Sequence, residues 1–266
     1  MTFRLKIIIV GAGLSGLSTA IACAQGGHDV LILEAAKELA EVGAGLQITP
    51  NGSKLFKEWG VLERLRPKAA EPTFLAVRRY SDGKELSRTA DFNLDMWRKY
   101  EAPFWDIHRV DLQLALVERA RELGVKVRLG ARLHAVDFDK PSVTLENGDV
   151  LTGDLIVAAD GLWSKCREQF LATQGKSDEP LPTGDLAYRI VLKLEDVQDE
   201  ELRKWIAQPS CNFWIGPGAH AVGYSVRGGQ MFNLVLLVPD DLPPGVARQP
   251  SSLDELRATF KAGIPC

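Results

Sequence analysis

The chain has 266 residues, 45% of them hydrophobic, with a formal net charge of −3 and acids and bases interspersed. That length can bury a substantial core in one large domain or two, and the mixed charge offers no global field for nucleic acid or an anionic membrane. Four dispersed cysteines (Cys23, Cys166, Cys211, Cys266) form no CxxC pair, and no apolar run has a membrane span's about twenty residues or a signal-peptide pattern, so the expectation is a cytoplasmic protein with reduced thiols and no metal.

The β-branched run 6–10 leads directly into Gly11-Ala12-Gly13-Leu14-Ser15-Gly16. A small-residue helix is expected over 17–24, and a second apolar run over 29–33 closes on Glu34. Strand, glycine turn, helix, strand and acid in this order form a dinucleotide-binding fingerprint, with Glu34 lying 18 residues beyond Gly16. Gly11 permits the tight turn, Gly13 lets the backbone approach a pyrophosphate, and Gly16 lets the helix pack on the strand. The N–H groups at the helix N-terminus face the phosphates. Glu34 is placed to accept hydrogen bonds from a ribose diol and to repel a 2′-phosphate, which favours FAD or NAD at the adenosine end.

Residues 41–47 read as a glycine-rich loop that feeds a short helix with Pro50 in its first turn and Gly60 at its end. Runs 73–80 and 84–88 flank Ser81-Asp82-Gly83 as a hairpin. A helix over 110–123 carries Val110, Leu114, Val117 and Ala120 at helical spacing and stops at Gly124. Strands are expected over 125–129, 132–138 and 143–146, the last turning at Asn147-Gly148. Residues 154–159 read as a fully buried strand inside a parallel sheet, ending on Asp160-Gly161. Further strands over 188–194, 221–227 and 232–238 suggest a separate antiparallel sheet. A proline-rich loop over 239–250 and a last helix near 253–261 follow. The short basic clusters at 64–68 and 78–79 read as solvated faces. The fold class is α/β, a Rossmann-like βαβ domain interleaved with an antiparallel sheet. The first domain is expected over 1–180, with inserted strands near 73–105, the sheet domain over 181–250, and the start of a C-terminal segment over 251–266.

Taken in order, GAGLSGL from Gly11, Glu34, EVGAGLQITPN from Glu41, His108-Arg109-Val110-Asp111-Leu112 and GDLIVAADG from Gly153 resemble the single-component FAD-dependent aromatic hydroxylases. The resemblance is closest to the salicylate-hydroxylase-like branch of fungal secondary metabolism. It implies that Gly11, Gly13, Gly16 and Glu34 bind the ADP half of FAD, that Ala44 and Gly45 lie along the flavin, that Arg109 contacts the cofactor, and that Asp160 serves the FAD pyrophosphate and NAD(P)H. It also implies that Arg189 and Tyr224 act on a small phenolic or aromatic-acid substrate. A guanidinium can grip a phenolate or carboxylate in a bidentate way, and a phenol hydroxyl can fix its orientation. With only one fingerprint in the chain, NAD(P)H would visit transiently. O2 would then form a flavin C4a-hydroperoxide that hydroxylates the ring, while the protein excludes water. His220 competes as an acid/base, although the Gly216-Pro217-Gly218 turn suggests an exposed loop position, and His28, His108 and His134 offer no metal spacing.

The family's second FAD motif, a strand ending in Gly-Asp followed by small residues and His, has no counterpart before Cys266. Gly184-Asp185 and Asp240-Asp241 lie beside proline-rich loops instead. The expectation is a C-terminally shortened chain, with an inactive remnant that keeps only ADP-moiety binding as the alternative to an active hydroxylase. An NAD-dependent reductase is weakened by the lack of a Tyr-x-x-x-Lys pair.

Overall fold

A computed structural model describes residues 3–39, 43–243, 245–246 and 249–260. The elements begin with β1 (Lys6–Val10), α1 (Leu14–Gln25), β2 (Asp29–Leu33), β3 (Gly45–Ile48), α2 (Pro50–Glu58) and α3 (Leu62–Leu65). They continue with β4 (Phe74–Arg79), β5 (Glu85–Thr89), α4 (Phe92–Tyr100), β6 (Trp105–His108), α5 (Arg109–Glu122), β7 (Lys126–Arg128), β8 (Leu133–Asp137), β9 (Ser142–Leu145), β10 (Val150–Thr152) and β11 (Leu155–Ala158). The last are α6 (Lys165–Thr173), β12 (Asp185–Lys193), α7 (Glu200–Ala207), β13 (Ser210–Gly216), β14 (Ala219–Val226), β15 (Met231–Pro239) and α8 (Leu253–Thr259). They form two compact units, one of Met1–Val42, Phe56–Arg64 and Val110–Leu181, the other of Gly43–Leu55, Leu65–Arg109 and Pro182–Cys266.

The first unit is built on a parallel sheet in the order β11-β1-β2-β7. Ile7, Ile8, Ile9 and Val10 of β1 are buried, as the unbroken β-branched run requires of a strand covered on both faces. Small residues along α1 bring Gly16, Leu17, Ala20 and Ile21 into the core. In α5 the buried stripe is Leu112, Leu116 and Ala120 with Ala115 and Val117, whereas Leu114 lies outside it and is exposed, one residue off the expected stripe. A small antiparallel sheet, β10-β9-β8, turns at Asn147-Gly148, where Gly148 takes φ +87°. Its Leu133, Val143 and Leu145 pack with Ile8, Val10 and Leu33.

One expectation fails here. Strand β11 is not fully buried: Leu155 is 44% exposed, and Ile156 and Val157 are half-buried. Among the described residues it pairs only with β1, so it is an edge strand whose outer flank has no sheet neighbour.

The second unit holds a six-stranded sheet in the order β12-β15-β14-β13-β4-β5. The 186–238 strands thus lie in a sheet separate from the parallel one, as expected, but the 74–89 hairpin extends it and makes it mixed rather than purely antiparallel. The joint is made by β13, unforeseen between 194 and 221, which runs antiparallel to β14 and parallel to β4. One face packs on α7 and α8, with Trp214, Ala221 and Leu236 against Trp205, Leu256 and Phe260. Asp199 caps α7 by accepting from Leu202 N at 2.9 Å. The other face meets the antiparallel ribbon of β3 and β6. The expected 41–47 loop thus already becomes strand at Gly45, while Glu41 and Val42 lie outside the described residues.

Candidate functional site

In the first unit, Gly11, Gly13, Gly16, Glu34 and Asp160 come together at the carboxyl ends of β1, β2 and β11. Gly11 adopts φ +106°, and a Cβ there would collide with Ala159 O and come within 3.2 Å of Asp160 Cα. Gly16 is equally obligatory, since a side chain would strike Gly11 O. Gly13 differs: nothing lies within 4 Å of where its Cβ would be, and it caps α1 without any side-chain hydrogen bond. The first turn of α1 carries no acidic residue. Its first amide donors, which no helix can satisfy internally, therefore meet no acidic side chain of the helix itself. That arrangement fits a diphosphate.

Glu34 stands just beyond β2. Its Oε2 accepts from Ala12 N and its Oε1 from Ala36 N, each at 2.8 Å. The carboxylate therefore ties the glycine turn to the strand end, and each oxygen keeps a further lone pair for a ribose hydroxyl. Asp160 is also engaged: Oδ1 accepts from Ser164 Oγ at 2.6 Å and Oδ2 from Cys166 N at 3.0 Å. Ser164 in turn caps α6 by accepting from Arg167 N. Burial and the Asp160 charge push the Cys166 thiol up to about 12, so this cysteine is not a nucleophile at neutral pH. Gln113, which sequence reasoning missed, is buried on α5 and donates to Ala12 O at 3.4 Å, steadying the same turn.

In the second unit, Ala44, Gly45 and Arg109 meet at one end of the β3–β6 ribbon. Arg109 N donates to Ala44 O at 2.9 Å, and Gly45 pairs with His108. The Arg109 side chain is exposed at the N-terminus of α5. Gly45 N donates to Asn233 Oδ1 at 2.7 Å, and a Cβ on Gly45 would lie 2.6 Å from Tyr224 Cε2 and from Asn233 Cγ. Only glycine lets this backbone lie so close to the tyrosine ring.

Tyr224 is 5% exposed, and it stands between Cys211 and Asn233 in the register. Arg189 is opposite Val235, which is opposite Val222, so Arg189 shares the Tyr224 face of the sheet. Its side chain is exposed. Burial, and then the nearby Asp106 carboxyl, push the Tyr224 phenol well above its ordinary range, with Arg189 pulling weakly the other way. His220 is not in an exposed loop: it is half-buried within β14, opposite Ile215 and Leu237, because the strand begins immediately after Gly218.

Sequence reasoning also missed a buried polar group around Tyr224. Gln47 Nε2 donates to Asp106 Oδ1 at 2.9 Å and to Cys211 Sγ at 3.2 Å. Burial drives the Asp106 carboxyl well above the usual carboxylate range, opposed in part by the Gln47 bond. Burial and Asp106 push the Cys211 thiol up to about 12. The available signal was Asp106 alternating with His108 in Trp105-Asp106-Ile107-His108, two polar residues on one face of an otherwise apolar strand.

Among the described residues no helix is long and apolar enough to cross a membrane, and no group of three His, Cys, Asp or Glu side chains could hold a metal ion. A curated relative, FAD-dependent monooxygenase OpS4 of Beauveria bassiana, is 53% identical over 263 residues, covering 98% of this chain and 61% of the relative. A 3-hydroxybenzoate 6-hydroxylase of Polaromonas naphthalenivorans is 31% identical, covering 98% of this chain and 63% of its own length. The chain thus spans about three fifths of the curated relatives it matches. The crystal structure of Klebsiella pneumoniae HpxO complexed with FAD and uric acid superposes with a TM-score of 0.81 at 25% identity, over 99% of this chain and 64% of that one. The family model described as FAD binding domain matches residues 4–224, across the glycine turn, Glu34, Asp160 and the sheet as far as Tyr224, and the chain belongs to that FAD-binding family.

Proposed function

We propose that the chain forms the FAD-binding and substrate-orienting part of a monooxygenase that uses NAD(P)H and O2 to hydroxylate a small phenolic or aromatic acid. The observation that carries this reading is the convergence of Gly11, Glu34 and Asp160 at the carboxyl ends of β1, β2 and β11. Open parallel sheets take up nucleotides at that end. The amides after Gly13 would receive the diphosphate, and Glu34 would receive the ribose through the lone pairs its amide bonds leave over. Asp160 would serve the pyrophosphate from its place beside Gly11. Ala44, Gly45 and Arg109 are the proposed flavin contacts. Arg109 stands at a helix N-terminus, where the helix dipole disfavours a cation, so its charge there suits an anionic ligand better than the helix. When bound, FAD supplies the redox and oxygen chemistry that no side chain can.

The chain's own share is to hold and orient the ring. Arg189 would grip a phenolate or carboxylate. Tyr224, kept a phenol by burial, would donate a hydrogen bond and fix the ring's orientation. The division into an FAD-binding part over 1–180, with inserted strands near 73–105 that join the sheet, and a substrate sheet over 181–250 belongs to the same proposal. The hydroxybenzoate hydroxylase among the relatives makes 3-hydroxybenzoate the first probe to try.

The test is the visible spectrum of the purified chain after mixing with FAD and desalting. A bound, perturbed flavin spectrum that bleaches with NAD(P)H is expected, and 3-hydroxybenzoate should perturb it. Arg189→Ala and Tyr224→Phe should weaken that perturbation about tenfold, about 1.4 kcal/mol each. A folded but colourless protein sinks the hydroxylase reading, and if it still binds ADP it supports the reduced, ADP-binding alternative.

A further inference from the structure

Between the β3–β6 ribbon and the six-stranded sheet of the second unit lies a row of polar side chains that the cofactor and substrate roles leave unused. Asp106 is 1% exposed and Asn233 is fully buried. Each has one satisfied atom: Asp106 Oδ1 accepts from Gln47, and Asn233 Oδ1 accepts from Gly45 N. Each also has one buried atom without a hydrogen-bond partner, Asp106 Oδ2 and Asn233 Nδ2. Gln47 spans Asp106 and Cys211, while Cys211 and Asn233 flank Tyr224 in the register. The row therefore reaches the tyrosine from both sides.

We propose that Asp106 is a positioning residue for Tyr224, its carboxyl sharing one buried polar row with Gln47, Cys211 and Asn233 and setting both the orientation and the proton of the phenol hydroxyl. This rests on Tyr224 being the substrate-orienting group of the proposed function. The titratable groups around Asp106 are the Cys211 thiol on β13, Tyr224 on β14 and His108 on its own strand, with Arg189 on β12 acting on Tyr224. Asp106 forms no ion pair among the described residues, and a carboxylate that loses water without gaining a cation holds its proton to higher pH than usual. Once ionised, Asp106 opposes the ionisation of Tyr224 and Cys211. Burial keeps Tyr224 a phenol and a hydrogen-bond donor in either state, and ionised Asp106 reinforces it.

The experiment is spectroscopic and needs no flavin. Alkaline titration of tyrosinate absorbance on the wild-type chain, with Tyr224→Phe as the subtraction, isolates Tyr224. Asp106→Asn should let Tyr224 ionise about one pH unit earlier, a tenfold change in its equilibrium. The wild type should also show, at neutral pH, the infrared carbonyl band of a protonated carboxylic acid, shifted in D2O and lost in Asp106→Asn. Coincident tyrosine titrations, or the absence of that band, overturn the proposal. Should Asp106→Asn fail to fold, Gln47→Leu supplies the second reading. Without the amide bond the acid band should shift and persist to higher pH, and an unchanged band overturns the proposal. A failed flavin uptake leaves these readouts intact, and their failure leaves flavin uptake intact, so the two readings fall separately.

Discussion

The two units build polar recognition in opposite ways. In the first, the groups facing the proposed nucleotide are backbone amides and two carboxylates whose oxygens already accept hydrogen bonds from the chain. In the second, they are side chains from five strands, β3 and β6 and the consecutive β13, β14 and β15, and two of the buried atoms have no partner. A site made of backbone is fixed by where glycines fall. A site made of side chains on neighbouring strands is fixed only by sheet register, and it can carry a charge state that shifts with its surroundings.

The sharpest way to break the first unit is Gly11→Ala. It forces a Cβ into Ala159 O at φ +106°, so a loss of about 3 kcal/mol or more is expected in urea unfolding. In the second unit, Gly45→Ala pushes a methyl to within 2.6 Å of Tyr224 and Asn233 and should cost about 2 kcal/mol. Circular dichroism of the aromatic region should change with it, because the tyrosine ring has to move.

The next effect depends on pH. The Asp106 carboxyl is raised on folding, so its contribution to stability is complete below the ordinary carboxylate range and is lost as pH rises to the folded value. Wild-type stability should fall relative to Asp106→Asn by at most about 1.4 kcal/mol per pH unit across that window, then level off. Parallel unfolding curves for the two proteins across pH would show that Asp106 is ionised when folded. The smallest stability effect belongs to Gly13→Ala, expected within about 1 kcal/mol because the position is open and has φ −69°. FAD binding should nonetheless weaken about tenfold, since the methyl occupies the approach to the first-turn amides. If Gly11→Ala and Gly13→Ala behave alike, the separation between fold and ligand roles within the glycine turn is wrong.

What was legible in the sequence follows the same division. The βαβ opening could be read because each of its requirements is local: β-branched residues at 7–10, glycines at fixed offsets, and an acid at the next strand's end. The hairpin at 81–83 and the turn at Asn147-Gly148 were legible for the same reason. Strand β13 was not, because Ser-Cys-Asn-Phe-Trp-Ile-Gly has no strict alternation and takes its place by pairing with both β14 and β4. Neither strand β6 nor Asp106 stood out in the sequence. Only the register that sets Gln47 opposite it, and the sheet beneath, reveals that it is buried. Arg189 and Tyr224 were named from a resemblance, and their common face needs the β12–β15–β14 pairing.

The parallel pairing of β4 with β13 also bears on how the chain is made. Phe74 meets Ser210, and the Arg78–Asn212 side-chain bond spans 134 residues. At about 5–20 residues per second, a ribosome needs roughly 7 to 27 s to go from Arg78 to that partner. During that interval β4 has an open edge that any extended segment could occupy. Completing the sheet that bears Tyr224 is therefore a late, non-local step, and its speed is set by loop closure over that distance rather than by the hairpin's own propensity.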